Sequence, residues 1–168
     1  AELEAVRHDG TRILTELRTI PFVHRGEPHA LQIARDITER KAAEERLRNS
    51  EQQYRAIFDG SADSMGLWNE DIVLVDVNHA FTRLAGWTRD EVIGRRLDER
   101  PGEPEIEQRI EMIRGALAGR EGRIEATVPS KDGPAYEVEI RYVPVSFGGR
   151  AYALSVARDI TERNAALA

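Results

Sequence analysis

The feature that most constrains this chain is an internal repeat of about forty residues. The hexapeptide RDITER at residues 35–40 returns at residues 158–163, and the residues before it align at the same offset without an insertion or deletion. Pro21, for example, aligns with Pro144. Residues 51–123 have no counterpart in the first copy. The sequence therefore predicts one complete module that is preceded by the closing part of another.

Length and composition fit one whole domain and part of a second. The chain has 168 residues, of which 40% are hydrophobic and 32% are charged. A domain commonly has roughly 100–150 residues, so the chain has room for one complete core. No stretch approaches the roughly 18 consecutive apolar residues of a membrane span, and no signal peptide opens the sequence. We therefore expect a cytoplasmic protein.

Charge and cysteine content exclude several classes of function. The net charge is −6 and the arginines are interleaved with glutamates, so we expect no nucleic-acid partner. Without cysteine there is no disulfide, no thiolate metal site, no cysteine nucleophile and no cysteine–cofactor adduct. His24 and His29 are not accompanied by a convergent acidic set, and we interpret them as solvated loop residues rather than metal ligands.

Alternation of apolar and polar residues predicts strands in both copies. In the second copy the period of two is clear over residues 136–142, with alternating runs before and after it at residues 124–128 and 152–157. Asp132-Gly133 and Gly148-Gly149 supply tight turns between these runs. The pattern predicts three consecutive antiparallel strands.

The first copy carries the last two of these strands and part of the first within residues 1–36. Each copy then changes to the composition of a helix. The RDITER aspartate and glutamate have the spacing of a capping box, and its aspartate and second arginine have the spacing of an i, i+4 ion pair. The predicted pairs are Asp36–Glu39 and Asp159–Glu162 for the capping boxes, and Asp36–Arg40 and Asp159–Arg163 for the ion pairs.

A charged helix over residues 38–58 is predicted to link the two copies. It carries one narrow stripe of less polar residues, which is typical of a helix that pairs with another helix. A break near Asn49 is an alternative, because Ser50 and Gln53 could cap a second helix. The stripe consists of Ala43, Leu47, Ser50, Tyr54, Ile57 and Phe58.

The complete module opens with two short predicted strands, residues 66–69 and 72–77. Three helices are then expected before the three closing strands, so the order is β-β-α-α-α-β-β-β. Helices between two groups of strands indicate an α+β fold with an antiparallel sheet. The helix signals are the cap Asn78 with the closing Gly86, the capping box of Thr88 and Glu91 with Gly94, and the break at residues 101–104 before the apolar face of Ile106, Ile110, Ile113 and Leu117.

Four kinds of motif accompany this order of elements, namely GWTRDEVIG at residues 86–94, Asp76-Val77-Asn78, Lys131-Asp132-Gly133 and both RDITER segments. Together with the order of elements they resemble the PAS domain, the S-box sensory module of bacterial signalling proteins. The resemblance covers about residues 51–163 as a whole domain and residues 1–40 as the closing strands of another. It implies a five-stranded antiparallel sheet in the order 2-1-5-4-3, with helices over one face that leave a pocket. It also implies a tandem sensory array that precedes an output domain.

The predicted division of the chain follows from the repeat and the resemblance. Residues 1–37 are the strands of the preceding module, residues 38–58 the connecting helix, residues 59–161 the complete domain and residues 162–168 the start of an output helix. We expect a homodimer formed through the connecting helix and the N-terminal strands, with the output domain in the same polypeptide.

The resemblance also implies pocket-lining residues between the helices and the sheet. The alternative is that these residues simply fill the core, and that Asn78 is an N-cap rather than a ligand contact. The candidates are Trp68, Asn78, Phe81, Trp87, Ile110, Ile113, Leu117 and Tyr142.

The cofactor is unknown from the sequence. Photochemical family members use a flavin–cysteine adduct, which this chain cannot form. Haem-binding members usually carry a histidine on the long helix, and residues 105–119 contain none, so haem is not expected. Noncovalent flavin or a small acid stays open, with Arg83 or Arg141 as counter-charge, although Arg141 is predicted to point outward.

No catalytic motif is present, so we expect no enzyme activity in this chain. We predict that it relays a signal through the strand-to-helix junctions. The alternatives are a ligand-free dimerisation spacer, or a regulatory part of a histidine kinase or cyclic-dinucleotide enzyme, with the RDITER aspartate acting only as a cap. The predicted relay residues are Asp36, Thr38, Arg40, Asp159, Thr161 and Arg163.

Overall fold

Strands and helices follow one another in two groups that match the repeat. The computed structural model describes residues 1–99 and 104–166. The chain divides into two compact units, Ala1–Tyr54 and Arg55–Ala168. The elements are β1 (Glu2–Val6), β2 (Arg12–His24), β3 (Glu27–Asp36), α1 (Thr38–Gly60), β4 (Ser64–Trp68), β5 (Leu74–Val77), α2 (His79–Ala85), α3 (Arg89–Val92), a 3₁₀ turn (Leu97–Glu99), α4 (Ile106–Leu117), β6 (Gly122–Val128), β7 (Tyr136–Phe147), β8 (Arg150–Asp159) and α5 (Thr161–Ala165).

The first unit contains an antiparallel sheet in the order β1-β2-β3. Its long hairpin turns at Arg25-Gly26, where φ is 49° and 82°. A positive φ at both central positions is the conformation of a type I′ hairpin turn. Gly148 and Gly149 occupy the same place in the second copy, with φ of 56° and 76°. The prediction that residues 1–36 carry the closing strands of a module is confirmed.

The sheet of the first unit leaves many large apolar side chains exposed. Thr15 is buried on β2, and the neighbouring Ile13 and Leu17 are half-buried. Open edge strands that expose apolar side chains tend to pair with another chain. The predicted association of this sheet with a second chain stays a prediction. The exposed residues are Leu3, Val6, Ile20, Phe22, Val23, Leu31 and Ile33.

Helix α1 runs over 23 residues, so the alternative of a break near Asn49 is wrong. Good helix formers such as Glu, Arg, Leu and Gln surround that position and favour continuation. On the predicted stripe, Phe58 is buried while Leu47 and Ile57 are exposed. Pairing with a second helix stays a prediction. No helix within residues 1–99 and 104–166 is long and apolar enough to cross a membrane.

The second unit contains a five-stranded antiparallel sheet in the order β5-β4-β8-β7-β6. Numbered from the first strand of the module, this is the predicted order 2-1-5-4-3. The predicted α+β class is therefore confirmed. The hairpin of β7 and β8 pairs from Val138 opposite Asp159 to Phe147 opposite Arg150, and β8 pairs on its other side with β4. The closing strand of the module thus lies in the middle of the sheet.

Two loops in this unit differ from the prediction. The second strand begins at Leu74 rather than Ile72, because Ile72 has a φ of 61° and cannot continue a strand. Asn69 closes this turn by accepting the amides of Asp71 and Val73 at 3.0 Å each. The connection of β6 to β7 spans residues 129–135, so Asp132-Gly133 is part of a longer loop and not a tight turn.

The helices lie against one face of the sheet because their apolar sides are buried there. α4 contacts β6, β7 and β8, and α2 contacts β4. Gly86 ends α2 with a φ of 74°, as predicted. The predicted break at residues 101–104 lies largely outside the described residues. The most deeply buried core residues are Trp68, Leu74, Leu97, Ile113, Val138 and Tyr142.

Candidate functional site

A cavity of about 250 Å³ lies between the helices and the sheet of the second unit. Its polar groups are few, and most of its wall is aliphatic or aromatic. Such a cavity is the usual form of a small-molecule site. The lining residues come from β4, α2, α3, α4, the three closing strands and the turns and loops between these elements, and they are Ser64, Trp68, Phe81, Leu84, Ala85, Trp87, Glu91, Val92, Arg95, Glu99, Arg109, Val128, Pro129, Tyr136, Val138, Ile140, Ser155 and Ala157.

Three of the predicted pocket residues line this cavity: Trp68, Phe81 and Trp87. The Trp68 ring is buried, and its Nε1–H donates to Ser155 Oγ at 3.0 Å. The Ser155 hydroxyl in turn donates to the carbonyl of Gly66 at 3.0 Å. The polar groups of this part of the wall are thus used within the wall, which leaves the indole ring as an apolar surface.

The remaining predicted pocket residues lie elsewhere. Ile113 and Tyr142 are fully buried members of the core, and Ile110 and Leu117 pack against that core. None of these four, nor Asn78, is among the residues that line the cavity. For these positions the alternative interpretation, that apolar residues at helical or strand spacing fill the core, describes the structure better.

Asn78 is the N-cap of α2 and is almost fully buried. Its Oδ1 accepts the amides of Met65 at 2.9 Å and Phe81 at 3.0 Å. Its Nδ2 donates to the carbonyls of Phe58 at 2.9 Å and Asp63 at 3.0 Å. This side chain therefore joins the end of α1, the start of β4 and the first turn of α2.

Arg109 is a cavity residue that the sequence analysis missed. It lies on α4 between Ile106 and Ile113, at the spacing of the buried face, and is 5% exposed. Its Nε–H donates to the Tyr142 hydroxyl at 3.0 Å. An arginine at an apolar position of a helix was the available signal. Of the counter-charges considered instead, Arg141 is exposed and pairs with Glu121, and Arg83 is also exposed and does not line the cavity.

The rim of the cavity is held by Glu91 on α3. Its carboxylate accepts the Thr88 amide at 2.9 Å, which is the glutamate half of the predicted capping box. The same carboxylate forms an ion pair with Lys131, and the Lys131 ammonium lies 5.3 Å from the centre of the Trp87 ring. Lys131 thereby attaches the loop before β7 to α3 and to Trp87, which lies just before α3.

Asp76 on β5 connects the connecting helix to α3. Its side chain is mostly buried, and Oδ1 accepts the Val77 amide at 2.8 Å. Arg89, the first residue of α3, pairs with it at 2.8 Å, and Arg55 on α1 pairs with it at 3.1 Å. Because α3 also supplies part of the cavity wall, this pair of salt bridges links α1 to that wall.

The strand-to-helix junction of the second copy is built on the backbone of β7. The amide of Ile160 donates to the carbonyl of Glu137 at 2.9 Å, and the amide of Glu137 donates to Thr161 Oγ1 at 3.0 Å. The amide of Thr161 then donates to Asp159 Oδ1 at 2.9 Å. Two hydrogen bonds thus fix the start of α5 on β7, and a third joins it to the end of β8.

The first copy repeats this junction with the corresponding residues. The amide of Ile37 donates to the carbonyl of Leu14, and the amide of Leu14 donates to Thr38 Oγ1, both at 2.8 Å. The amide of Thr38 donates to Asp36 Oδ1 at 3.0 Å. The amide and hydroxyl of Thr38, with a smaller effect from Arg7, hold the pKa of Asp36 below its ordinary value.

The predicted capping boxes at the two junctions are wrong. Ile160 is the N-cap of α5, so Asp159 lies one residue too early to accept from the third helical residue. α1 likewise begins at Thr38, two residues after Asp36. In both copies the aspartate caps the first helical amide instead.

The predicted i, i+4 ion pairs are also wrong. Asp36 pairs with Arg7 at 2.6 Å, while Arg40 pairs with Glu44 at 3.1 Å. Arg163 reaches across to β6, where it pairs with Glu125 at 2.8 Å. Because the aspartates turn back towards their own helix amides, the arginines find other partners.

Comparison with known families matches each copy separately. Residues 58–165 match the model of the PAS fold, and residues 1–39 match that of the PAS domain. The chain belongs to the PAS family. It holds one complete PAS domain and the closing strands of a preceding one, as the repeat predicted.

The curated relatives that match this PAS protein include two proteins named as sensors and one named as a kinase. It is 32% identical over 127 residues to the methyl sulfide methyltransferase-associated sensor of Methanosarcina acetivorans, covering 74% of this chain and 12% of that protein. It is 28% identical over 92 residues to the two-component sensor PprA of Pseudomonas aeruginosa, covering 55% of this chain and 9% of PprA. It is 32% identical over 66 residues to sporulation kinase E of Bacillus subtilis, covering 39% of this chain and 9% of the kinase. The chain thus spans about a tenth of each relative.

Solved structures share the PAS fold. The PAS domain of an HTR-like protein from Haloarcula marismortui has a TM-score of 0.60 at 23% identity and covers 71% of this chain and 99% of its own. A PAS domain from Colwellia psychrerythraea has a TM-score of 0.56 at 25% identity and covers 67% and 98%. A LOV protein of Rhodobacter sphaeroides has a TM-score of 0.56 at 19% identity and covers 67% and 68%. Because this chain has no cysteine, a flavin–cysteine adduct is impossible in it.

Metal binding finds no support in the described residues. Within residues 1–99 and 104–166, no three or more His, Asp or Glu side chains are grouped so that they could hold a metal ion. The prediction that His24 and His29 lie in loops is wrong, because they belong to the paired strands β2 and β3, with their rings 6.1 Å apart.

Glu91 makes the stability of the PAS domain depend on pH. The Lys131 ammonium and the Thr88 amide and hydroxyl lower its pKa from 4.5 to about 2. A lowered pKa in the folded state adds stability above the unfolded pKa, and this stability is lost as the pH falls towards the folded pKa. We therefore expect the difference in Tm between the wild type and Glu91→Gln to shrink between about pH 5 and pH 2. Thermal unfolding of both proteins across that range measures it, and a constant difference would contradict the assignment.

Proposed function

We propose that this chain is a sensory module in which occupancy of the cavity is relayed through β7 to the helix that follows. One observation carries the proposal. Val138 lines the cavity, and the backbone of its neighbour Glu137 holds the start of α5. Because β7 is one continuous strand, a ligand that displaces Val138 also moves the peptide group of Glu137. The cavity and the output helix therefore share a strand.

The relay needs two arrangements of the junction that differ little in free energy. A ligand shifts such an equilibrium only by the difference in its affinity for the two arrangements. A typical hydrogen bond contributes about 1 kcal/mol, and 1.4 kcal/mol is a factor of ten. Loss of the hydrogen bond from the Glu137 amide to Thr161 Oγ1 would thus change several-fold the fraction of molecules in which the start of α5 is bonded to β7. The junction is weak enough to respond to a small ligand.

The relatives support a sensory role and an output outside this chain. The three curated relatives are two proteins called sensors and one called a kinase. The part of each that matches this chain is small, so the output would lie elsewhere in a longer protein. A histidine kinase of a two-component system is the output that these names favour.

Filling the cavity from the helix side tests the relay. Leu84→Trp on α2 places a larger side chain in the cavity and so fills part of it, without changing a residue of β7 or β8. We expect amide hydrogen exchange of Asn164 and Ala166 in the α5 segment to change at least about threefold relative to the wild type. Leu84→Met, which preserves the volume, is the control and should leave exchange unchanged.

Two threonine variants distinguish a relay through the junction from a general destabilisation of the domain by Leu84→Trp. Thr161→Val removes the acceptor for the Glu137 amide, and Leu84→Trp should then no longer alter exchange in α5. Thr38→Val makes the same change in the first copy and should leave the response of α5 intact. Equal α5 exchange in the wild type and Leu84→Trp would sink the proposal and favour a spacer that senses nothing.

A further inference from the structure

Three buried polar side chains line the described part of the cavity wall, and one of them lacks a hydrogen bond. Ser155 Oγ accepts from the Trp68 indole at 3.0 Å. Arg109 donates through Nε–H to the Tyr142 hydroxyl at 3.0 Å. The third is Ser64, which is 7% exposed, and its hydroxyl has no hydrogen bond to any residue that the structure describes. A buried polar group without a partner is rare in proteins and calls for an explanation.

The Ser64 side chain lies on the cavity side of β4. Side chains alternate between the two faces of a strand, so Ser64, Gly66 and Trp68 share one face. All three are buried, whereas Met65 and Leu67 on the opposite face are partly exposed. Because Trp68 and Ser64 both line the cavity, the hydroxyl without a partner belongs to the cavity wall and not to the outer surface of the sheet.

The charged side chains of the described wall are already bonded within the protein. Glu91 pairs with Lys131, and the Arg95 Nε–H donates to the Glu91 carbonyl at 2.7 Å. The Glu99 carboxylate accepts the Arg96 amide at 3.4 Å, and the buried arginine of α4 has the tyrosine partner described above. Burial of a further charge among mostly apolar groups costs far more than burial of a neutral group. This wall therefore favours an uncharged ligand.

The rest of the wall suits an apolar body. Phe81 and Leu84 contribute to it from α2. Val138 and Ile140 contribute from β7. A ligand that contacts these residues gains from burial of apolar surface and needs no hydrogen-bonding group there. The volume of about 250 Å³ exceeds that of a cavity of roughly 150 Å³ that binds benzene, so there is room for a ring with a short chain.

We propose that the cavity binds an uncharged, mainly apolar molecule whose carbonyl oxygen accepts a hydrogen bond from the Ser64 hydroxyl. The inference rests on the proposed function, since it names the class of ligand that the sensor detects. A carbonyl supplies the acceptor that the buried hydroxyl lacks, whereas a hydrocarbon of the same shape leaves the hydroxyl unbonded. A ligand hydroxyl fits less well, because it brings a donor and an acceptor to a single partner. An aryl ketone has the required form.

Three probes of nearly the same shape test the class of ligand. They are the ketone benzylacetone, the carboxylate hydrocinnamate and the hydrocarbon isopentylbenzene, each titrated into the 168-residue chain at neutral pH and followed by Trp fluorescence and amide NMR. The ketone should bind at least about tenfold more tightly than the carboxylate, because the carboxylate loses its hydration without gaining a counter-charge. If the carboxylate binds as tightly as the ketone, or the ketone does not bind, the inference is wrong.

A serine variant locates the hydrogen bond. Ser64→Ala should weaken binding of the ketone about 3- to 10-fold and leave binding of the hydrocarbon unchanged, because only the ketone bonds the hydroxyl. Ser146→Ala makes the same substitution at an exposed position of β7 that does not line the cavity, and it should change neither affinity. Equal losses for ketone and hydrocarbon in Ser64→Ala would mean a changed cavity shape and not a lost bond, and would overturn the proposal.

The stability of the ligand-free protein tests the premise that the Ser64 hydroxyl is unbonded. Removal of a buried hydroxyl without a partner should leave the Tm of Ser64→Ala equal to that of the wild type or above it. Ser155→Ala removes two hydrogen bonds and should lower the Tm by several degrees. If Ser64→Ala unfolds as early as Ser155→Ala, or does not fold, the hydroxyl is bonded in the empty protein and the proposal fails.

Failure of this inference can be told from failure of the proposed function by hydrogen exchange in α5. If the carboxylate binds more tightly than the ketone and alters exchange of Asn164 and Ala166, the sensor remains and only the uncharged class is wrong. If the ketone binds with a preference that depends on Ser64 but α5 exchange stays constant, the ligand class is right and the relay is wrong.

Discussion

Replacing Asn78 with alanine is expected to lower the free energy of unfolding of the complete PAS domain by about 3 to 4 kcal/mol. The side chain is 1% exposed and forms four hydrogen bonds with backbone groups. Loss of an N-cap costs about 1 kcal/mol, and each buried backbone group left without its partner adds to that. The amide of Met65 and the carbonyls of Phe58 and Asp63 would lose a bond together.

Urea unfolding followed by circular dichroism and by Trp fluorescence measures this loss, and the two probes should show a single coincident transition. Thr88→Ala is the matched control, since Thr88 caps a helix at an exposed position. It should cost about 1 kcal/mol or less. A loss in Asn78→Ala no greater than that of the control would show that the four bonds do not act as a buried set.

Asp76→Ala is expected to lower the free energy of unfolding by about 2 to 3 kcal/mol. The variant leaves Arg55 and Arg89 without this carboxylate. Removing one partner of a fully buried ion pair costs about 3 to 5 kcal/mol, but here the two arginine side chains are 41% and 43% exposed and regain water. The lower value follows from that exposure.

A double-mutant cycle with Arg55→Met measures how strongly α1 is tied to β5. The coupling should be about 1 kcal/mol, because Arg55 is one of two cations on the same carboxylate. The pair of Arg158 and Asp63 is the control, since its arginine is 69% exposed. Asp63→Ala should cost less than about 1 kcal/mol. Equal losses in Asp76→Ala and Asp63→Ala would mean that burial of Asp76 has no energetic consequence.

The sequence predicts the fold well because the fold depends on local signals that are repeated. The alternation in β7, the turn at Gly148-Gly149 and the cap at Asn78 each need only a few neighbouring residues. The order of strands in the sheet depends on pairing between residues distant in sequence, and it was predicted only from the resemblance to the PAS domain. Ile72 shows the limit, since its positive φ is imposed by the bonds of Asn69 and cannot be read from a β-branched residue.

The cavity is less predictable than the fold because a cavity wall and a core have the same sequence pattern. Phe81 lines the cavity and Ile113 does not, although both are apolar residues at helical spacing. Arg109 was missed for the opposite reason, since a charged residue is taken as exposed by default. The junction bonds were missed because Glu137 and Thr161 are distant in sequence, and local spacing says nothing about which strand lies beside a helix start.

The two strand-to-helix junctions differ in the residue of the neighbouring strand that bonds the start of the helix. Leu14 fills this place in the first copy and Glu137 in the second, one apolar and one charged. Both bond the start of the helix through the peptide amide and carbonyl, and the Glu137 carboxylate also accepts from the Asn164 side chain of α5. The side chains that both junctions share belong to the segment that follows the strand, namely an aspartate and a threonine. The shared bonds need only a peptide amide and carbonyl on the neighbouring strand, which every residue except proline has. Duplicated domains can therefore diverge along this strand and still carry the same outgoing helix.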